Sequence, residues 1–189
     1  PDVLLLTGFD WDLDLTALTA FSDLLAQRGA VYPHRFALRP NTGLMTDHDL
    51  DGDGRHRGPG DAQGWGRFSG EGGMAVLSRQ PIDTAGITDH SALLWKDLPG
   101  TLIGGAGLSP DAQAVQRLSS TGHWQVPVVL PSGKVLTLLA WQATPPVFDG
   151  AEDRNGRRNH DEAALWLRLL DGALADAPPQ APFVLIGNA

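Results

Sequence analysis

Cysteine is absent from this chain. That excludes disulfide scaffolds, thiolate zinc centres and cysteine nucleophiles. No apolar run approaches the roughly 18 residues that a membrane-spanning helix needs. No signal peptide is visible either, so no membrane partner is expected. There is no P-loop, no Gly-x-Gly-x-x-Gly, no Gly-x-Ser-x-Gly and no zinc motif, and the six histidines show no ligand spacing. Basic charge is scarce: 14 basic against 22 acidic residues leave a net charge of −8, which argues against bulk electrostatic binding to nucleic acid. Glutamate is nearly missing too. The acids include only Glu71, Glu152 and Glu162, leaving 19 aspartates. Aspartate disfavours helix interiors and favours caps, turns and cation sites.

What is present suffices for a core. Hydrophobic residues make up 42% of the 189, and no repeat, low-complexity tract or linker divides them, so one domain over 1–189 is expected. The 23 glycines and 14 prolines predict a loop-rich molecule. The chain opens on Pro1 rather than Met, which predicts further residues upstream.

Val3 to Leu6, Met74 to Leu77 and Phe183 to Ile186 are short continuous apolar runs, the pattern of fully buried strands. Trp124 to Leu130 and Val135 to Ala140 flank Pro131-Ser132-Gly133-Lys134, a hairpin signal. Leu18, Phe21, Leu24 and Leu25 form a helical stripe that Asp14 or Thr16 can cap and Gly29 can end. Ser109-Pro110-Asp111 opens a short helix to about Leu118. A third helix is expected from Asn159, with Asn159 and Glu162 as a capping-box-like pair, Leu165, Trp166, Leu169, Leu170 and Ala173 inward, and Pro178-Pro179 as its stop. The order predicts a mixed α/β chain with an antiparallel component. Two long loops, about 39–73 and 144–158, hold most of the chemically interesting residues.

In the first loop, Asp49, Asp51 and Asp53 followed by Gly54 match the first half of a calcium loop. The bidentate Glu expected at position twelve is replaced by Gly60, although Asp61 can substitute. The competing reading is a solvated acidic turn. In the second, Arg154, Asn155, Arg157, Arg158 and Asn159 lie at a helix N-terminus, where backbone N–H groups and guanidinium groups suit an anion such as phosphate. His160 in the first turn can serve as a neutral acid–base group or a phosphate donor. The competing reading pairs these arginines with Glu152, Asp153 and Asp161 in a salt-bridge network and leaves Asn159 and Glu162 as caps. Of six tryptophans, Trp124 and Trp166 read as core, while Trp11 and Trp65 in loops either line a site, stacking a base or a sugar, or join the core.

Several long segments carry a resemblance. They are Gly64-Trp65-Gly66-Arg67-Phe68 leading into Gly73-Met74-Ala75-Val76-Leu77-Ser78-Arg79, then Leu94-Trp95-Lys96-Asp97-Leu98-Pro99-Gly100, then Arg117-Leu118-Ser119-Ser120. The strongest is Ala143-Thr144-Pro145-Pro146-Val147-Phe148-Asp149-Gly150, continuing through Arg154-Asn155-Gly156-Arg157-Arg158-Asn159-His160-Asp161-Glu162. With these, the chain resembles the endonuclease/exonuclease/phosphatase superfamily, the deoxyribonuclease-like fold, and within it a bacterial subgroup. The resemblance implies an α+β sandwich of two packed mixed β-sheets flanked by helices. It also implies phosphoester hydrolysis by a carboxylate-held Mg²⁺ with a His–Asp pair activating water.

The positions that would carry this chemistry depart from the family's pattern. Gly8, in Thr7-Gly8-Phe9-Asp10, stands where the family has its metal-binding Glu. Gln142 stands for a phosphate-contacting His, and Asn188 for the Asp of a Gly-Asp-x-Asn motif. The family's first strand would precede Pro1, and its Ser-Asp-His segment would follow Ala189. A neutral amide can hydrogen-bond phosphate but can neither balance a divalent cation nor take a proton. The first expectation is therefore a degenerate member that binds a small anionic or phosphoester ligand, with Gln142, Asn188 and His160 in the site. The alternatives are a working phosphoesterase with a relocated metal, using Asp10, Asp12 and His160, and a Ca²⁺-stabilised interaction domain. A calcium loop and the lack of cysteine would suit a bacterial periplasmic or secreted protein.

Overall fold

The computed structural model describes residues 1–189. In chain order the elements are β1 (Val3–Phe9), α1 (Thr16–Gln27), β2 (His34–Phe36), β3 (Gly73–Ser78), β4 (Thr88–Asp89), α2 (Pro110–Val115), β5 (Gly122–Val129), β6 (Val135–Gln142), α3 (Arg154–Leu170) and β7 (Phe183–Asn188). One sheet has the order β1-β3-β2 and is antiparallel. The other has the order β4-β5-β6-β7, antiparallel except for the parallel pair β6–β7.

The strand pattern explains the layering. Successive side chains of a strand point to opposite faces. Met74 and Val76 of β3 meet Trp124, Val126, Leu138 and Ala140 between the two sheets. Their neighbours Ala75 and Leu77 face the other way, onto Leu18 of α1 and Tyr32. On β6, Leu139 and Trp141 face outward onto Leu165, Trp166 and Leu169 of α3. The result is helix, sheet, sheet, helix. No helix is long and apolar enough to cross a membrane.

Only β3 is buried along its whole length. The same expectation for β1 and β7 is corrected: β1 is partly exposed and β7 mostly so, with Leu185 at 52%. Both are edge strands, so one flank of each lacks a neighbour. The hairpin forms as expected, with Val129 opposite Val135. Helix α1 is capped by neither Asp14 nor Thr16. Asp12 does it, its carboxylate accepting from the N–H groups of Thr16 at 2.7 Å and Ala17 at 3.0 Å. Ser109 caps α2 as expected, but the helix stops at Val115.

The largest correction concerns α3. It begins at Arg154, five residues earlier than Asn159, and ends at Leu170, well before the Pro178-Pro179 stop. Leu170 is exposed rather than inward. Asn159 and Glu162 are therefore helix-interior residues and no capping box. Asn159 Nδ2 donates to Thr144 O at 2.8 Å. The fully buried Glu162 carboxylate accepts from Ser120 N, Ser120 Oγ and Thr144 N. These bonds tie α3 to the segments preceding β5 and following β6. Burial pushes the Glu162 carboxyl up, opposed by Arg158 and these donors.

His123 lies under the same helix, fully buried. Its Nε2 donates to Glu162 O at 3.0 Å, since a carbonyl can only accept, and Nδ1 accepts from Ser119 Oγ at 2.8 Å. Burial pushes the ring from its ordinary 6.5 down to about 3, so it is held neutral.

Two predictions follow from this network. Glu162→Ala strands the backbone donors of Ser120 and Thr144 and leaves Arg158 without its compensating charge, and the expected loss of about 3–5 kcal/mol is read from the urea midpoint. For His123 the native state disfavours a proton that the unfolded chain accepts. Its contribution to stability is complete above pH 6.5 and drains as pH falls toward 3. The melting temperature should therefore fall between pH 6.5 and about 4 more steeply in the wild type than in His123→Gln.

Candidate functional site

The ends of β1 and β6, the 39–73 loop and the first turns of α3 enclose a cleft of about 850 Å³. Gly8 and Gln142 meet along its lining. At Gly8 the pairing of β1 with β3 slips, and its φ of +69° suits a residue without Cβ. The freed Gly8 N–H donates to Gln142 Oε1 at 3.0 Å. That bond sets the orientation of the amide and leaves Gln142 Nε2 without a partner in the protein. Asn188 lies beside Gln142 in the parallel pair, and its carbonyl accepts from Ala143 N, but it does not line the cleft.

The arginines form neither the open phosphate cluster nor the salt-bridge network expected. They bond mainly to backbone carbonyls. Arg154 donates through Nε to Ala106 O and through Nη1 to Leu50 O. Arg158 donates through Nε to Leu118 O and through Nη2 to Gln63 O and Arg117 O, and its guanidinium stacks 5.9 Å from the Trp95 ring. Arg157 holds Glu152 O and lies against Gly105, away from the cleft. Arg154 and Arg158 do line the cleft, and Arg154 Nη2 and Arg158 Nη1 carry no protein partner. Thr42 Oγ1, another lining group, is buried without a hydrogen bond. Asn155 lines the wall while fastening it: its N–H donates to Asp149 and its Nδ2 to Val147 O at 2.7 Å.

Four carboxylates stand around these donors: Asp51, Glu71, Asp149 and Glu152. Arg67, 2.7 Å from Glu71 Oε1, holds the Glu71 carboxyl low. Backbone N–H groups of Glu152 and Gly150 do the same for Glu152. Asp51 is pushed up, by burial first and then by Asp53, Asp61 and Asp49 around it.

The acidic loop gathers a set different from the one expected. Carboxylate oxygens of Asp49, Asp51 and Asp61 lie within 4.8 Å of one another. Asp53 is outside the set, its Oδ1 accepting from Arg55 N at 2.7 Å. Asp61, rather than Asp53, completes the group. The three carboxylates are hard oxygen donors of the kind that Mg²⁺ and Ca²⁺ take. Asp49 and Asp61 also accept backbone N–H groups, so each offers the lone pairs that remain.

Other expected residues fall elsewhere. His160 is outside the cleft, its side chain 63% exposed and its Nδ1 3.0 Å from Asp161 Oδ1. Asp10 accepts from Gly72 N and Asp12 caps α1, so Asp10, Asp12 and His160 do not converge. Trp65 lines the cleft and Trp11 does not. A second cavity of about 330 Å³ sits at the end of β4, where His90 Nδ1 is 2.9 Å from Asp176. It holds no arginine or lysine. Sequence reasoning assigned no role to Glu71, Phe148 or Asp149, and gave Glu152 only that of an ion-pair partner for the arginines. The one signal available was that Phe148 and Asp149 lie inside the Thr-Pro-Pro segment.

No curated protein and no solved structure matches the chain significantly. The sequence profile of the Endonuclease/Exonuclease/phosphatase family matches residues 1–188. With an antiparallel and a mixed sheet packed between helices and a cleft at the ends of β1 and β6, the chain belongs to the endonuclease/exonuclease/phosphatase family.

Proposed function

We propose that the cleft binds a small phosphoester or similar anion together with a divalent cation, and that hydrolysis there is inefficient. The observation that carries this reading is the set of unpartnered donors at the cleft wall, Gln142 Nε2, Arg154 Nη2 and Arg158 Nη1. Donors held rigidly by their other bonds suit phosphate oxygens, because little freedom is lost on binding. The surrounding acids would repel a bare anion, so a cation is part of the reading. Asp49, Asp51 and Asp61 would hold it. When bound, it would offset their charge and polarise a phosphoryl oxygen. Weak hydrolysis is the reading supported by what stands at the family's positions. Gly8 offers no carboxylate, and Gln142 and Asn188 cannot accept a proton.

A second reading, a phosphoesterase with its metal relocated to the acidic loop, is favoured by one observation. Asp51 belongs both to the carboxylate cluster and to the cleft wall.

Calorimetry with inorganic phosphate and bis(4-nitrophenyl) phosphate, with and without Mg²⁺ or Ca²⁺, tests both. Cation-dependent binding is expected, weakened about tenfold or more in Arg154→Gln, the usual effect of losing a charged hydrogen bond. The absence of any phosphate binding would sink the proposal. Nitrophenol release that disappears in Asp51→Asn would replace it with the second reading. Separately, Ca²⁺ should raise the melting temperature of the wild type and not that of Asp51→Asn. If Ca²⁺ stabilises the protein while neither phosphate compound binds, the interaction-domain reading takes over.

A further inference from the structure

Two aromatic side chains stand in solvent at this cleft without any packing reason to do so. Trp65 is 64% exposed and Phe148 is 90% exposed, and both line the cleft. A single exposed aromatic on a flexible loop is ordinary. These two are carried on backbone that the fold holds still.

Trp65 sits between Gly64 and Gly66. A Cβ on Gly64 would lie 1.9 Å from Ser120 O, and one on Gly66 would lie 2.6 Å from Gly43 N. The chain on either side of the indole is thus pressed against its neighbours. Hydrogen bonds fix it there: Gly64 N donates to Asn41 O at 3.0 Å, and Gly43 N to Gly64 O at 2.9 Å. The exposed ring stands on a clamped support.

Phe148 has a φ of +70°, a conformation that non-glycine residues rarely adopt. Its neighbours are held from both sides. Val147 N donates to Pro145 O, and Asn155 binds Val147 O through Nδ2 and Asp149 through its N–H. Strained backbone maintained by surrounding bonds clusters at active sites and ligand clamps. Flat aromatic faces presented rigidly bind flat rings by stacking, and they do so with little entropy to lose.

We propose that Trp65 and Phe148 are specificity-determining residues that stack on a planar aromatic ring of the ligand. The cleft would then take phosphoesters that carry such a ring, mononucleotides being the model class, in preference to sugar or glycerol phosphates. This inference rests on the anion-binding reading of the same cleft. The net charge of −8 favours a small ligand over a long polyanion.

Inorganic phosphate, ribose 5-phosphate and adenosine 5′-monophosphate, titrated in the presence of Mg²⁺, test it. The last two differ only by the base. The wild type is expected to bind the mononucleotide about tenfold more tightly than ribose 5-phosphate, in line with the effect of one stacked base. That preference should collapse in Trp65→Ala and in Phe148→Gly and survive in Trp65→Phe, which keeps a ring. Phe148→Gly also relieves the positive φ, so its melting temperature should not fall, separating loss of preference from loss of fold. Equal binding of ribose 5-phosphate and the mononucleotide would overturn the stacking inference and leave the anion site standing. Failure of all three compounds to bind would overturn both.

Discussion

The buried carboxylate of Glu162 is the constraint on which the working end of the molecule depends. It accepts from Ser120 and Thr144, and so joins α3 to the strands of the second sheet at the point where the cleft opens. Ser120, Thr144 and Arg158 all line that cleft. A carboxylate removed from water needs donors and a compensating charge, and here the donors are backbone and hydroxyl groups and the charge is Arg158. One helix residue thereby sets the separation of three cleft walls. His123, neutral and bonded to the carbonyl of the same residue, extends this support into the sheet.

The arginines near the start of α3 serve structure through bonds to backbone carbonyls. Their donors close off carbonyls of irregular segments, Leu50, Gln63, Ala106 and Leu118, where regular secondary structure supplies no partner. One nitrogen on each of Arg154 and Arg158 is left without a protein partner, and both residues line the cleft. These groups are held by their other bonds and cannot follow a ligand. In the proposed anion site, their placement would select for geometry as well as charge. The carboxylates facing them keep the cleft from being simply cationic, which couples the anion reading to a cation at Asp49, Asp51 and Asp61.

Much of the framework was legible from local pattern. The β5–β6 hairpin, the β3 strand and the inward face of α3 at Leu165, Trp166 and Leu169 follow from periodicity and turn chemistry. Boundaries and burial were not. Asn159 looked like a cap because capping residues and pairing residues are chemically the same, and only a distant Thr144 carbonyl tells them apart. Phe183 to Ile186 looked buried because an apolar run does not say whether its strand lies at the edge of a sheet. At the site, Gln142, Arg154 and Arg158 were found from the family pattern and the chemistry of their residue types. Glu71, which is next to no motif acid in sequence, was not.

The sequence by itself determined the family and the alternation that builds two packed sheets. These are properties of residue type and order, readable wherever the chain goes. Only the tertiary structure decided which of the many aspartates converge, that His160 stays outside the cleft, and that Trp65 and Phe148 share it. Those outcomes depend on loops crossing from distant parts of the chain. Asp61 reaches Asp49 and Asp51 because a tight turn ends there, and Phe148 holds its conformation because Asn155 fastens the segment around it. Contacts of that kind are fixed by packing and hydrogen bonding between segments, and no local pattern encodes them.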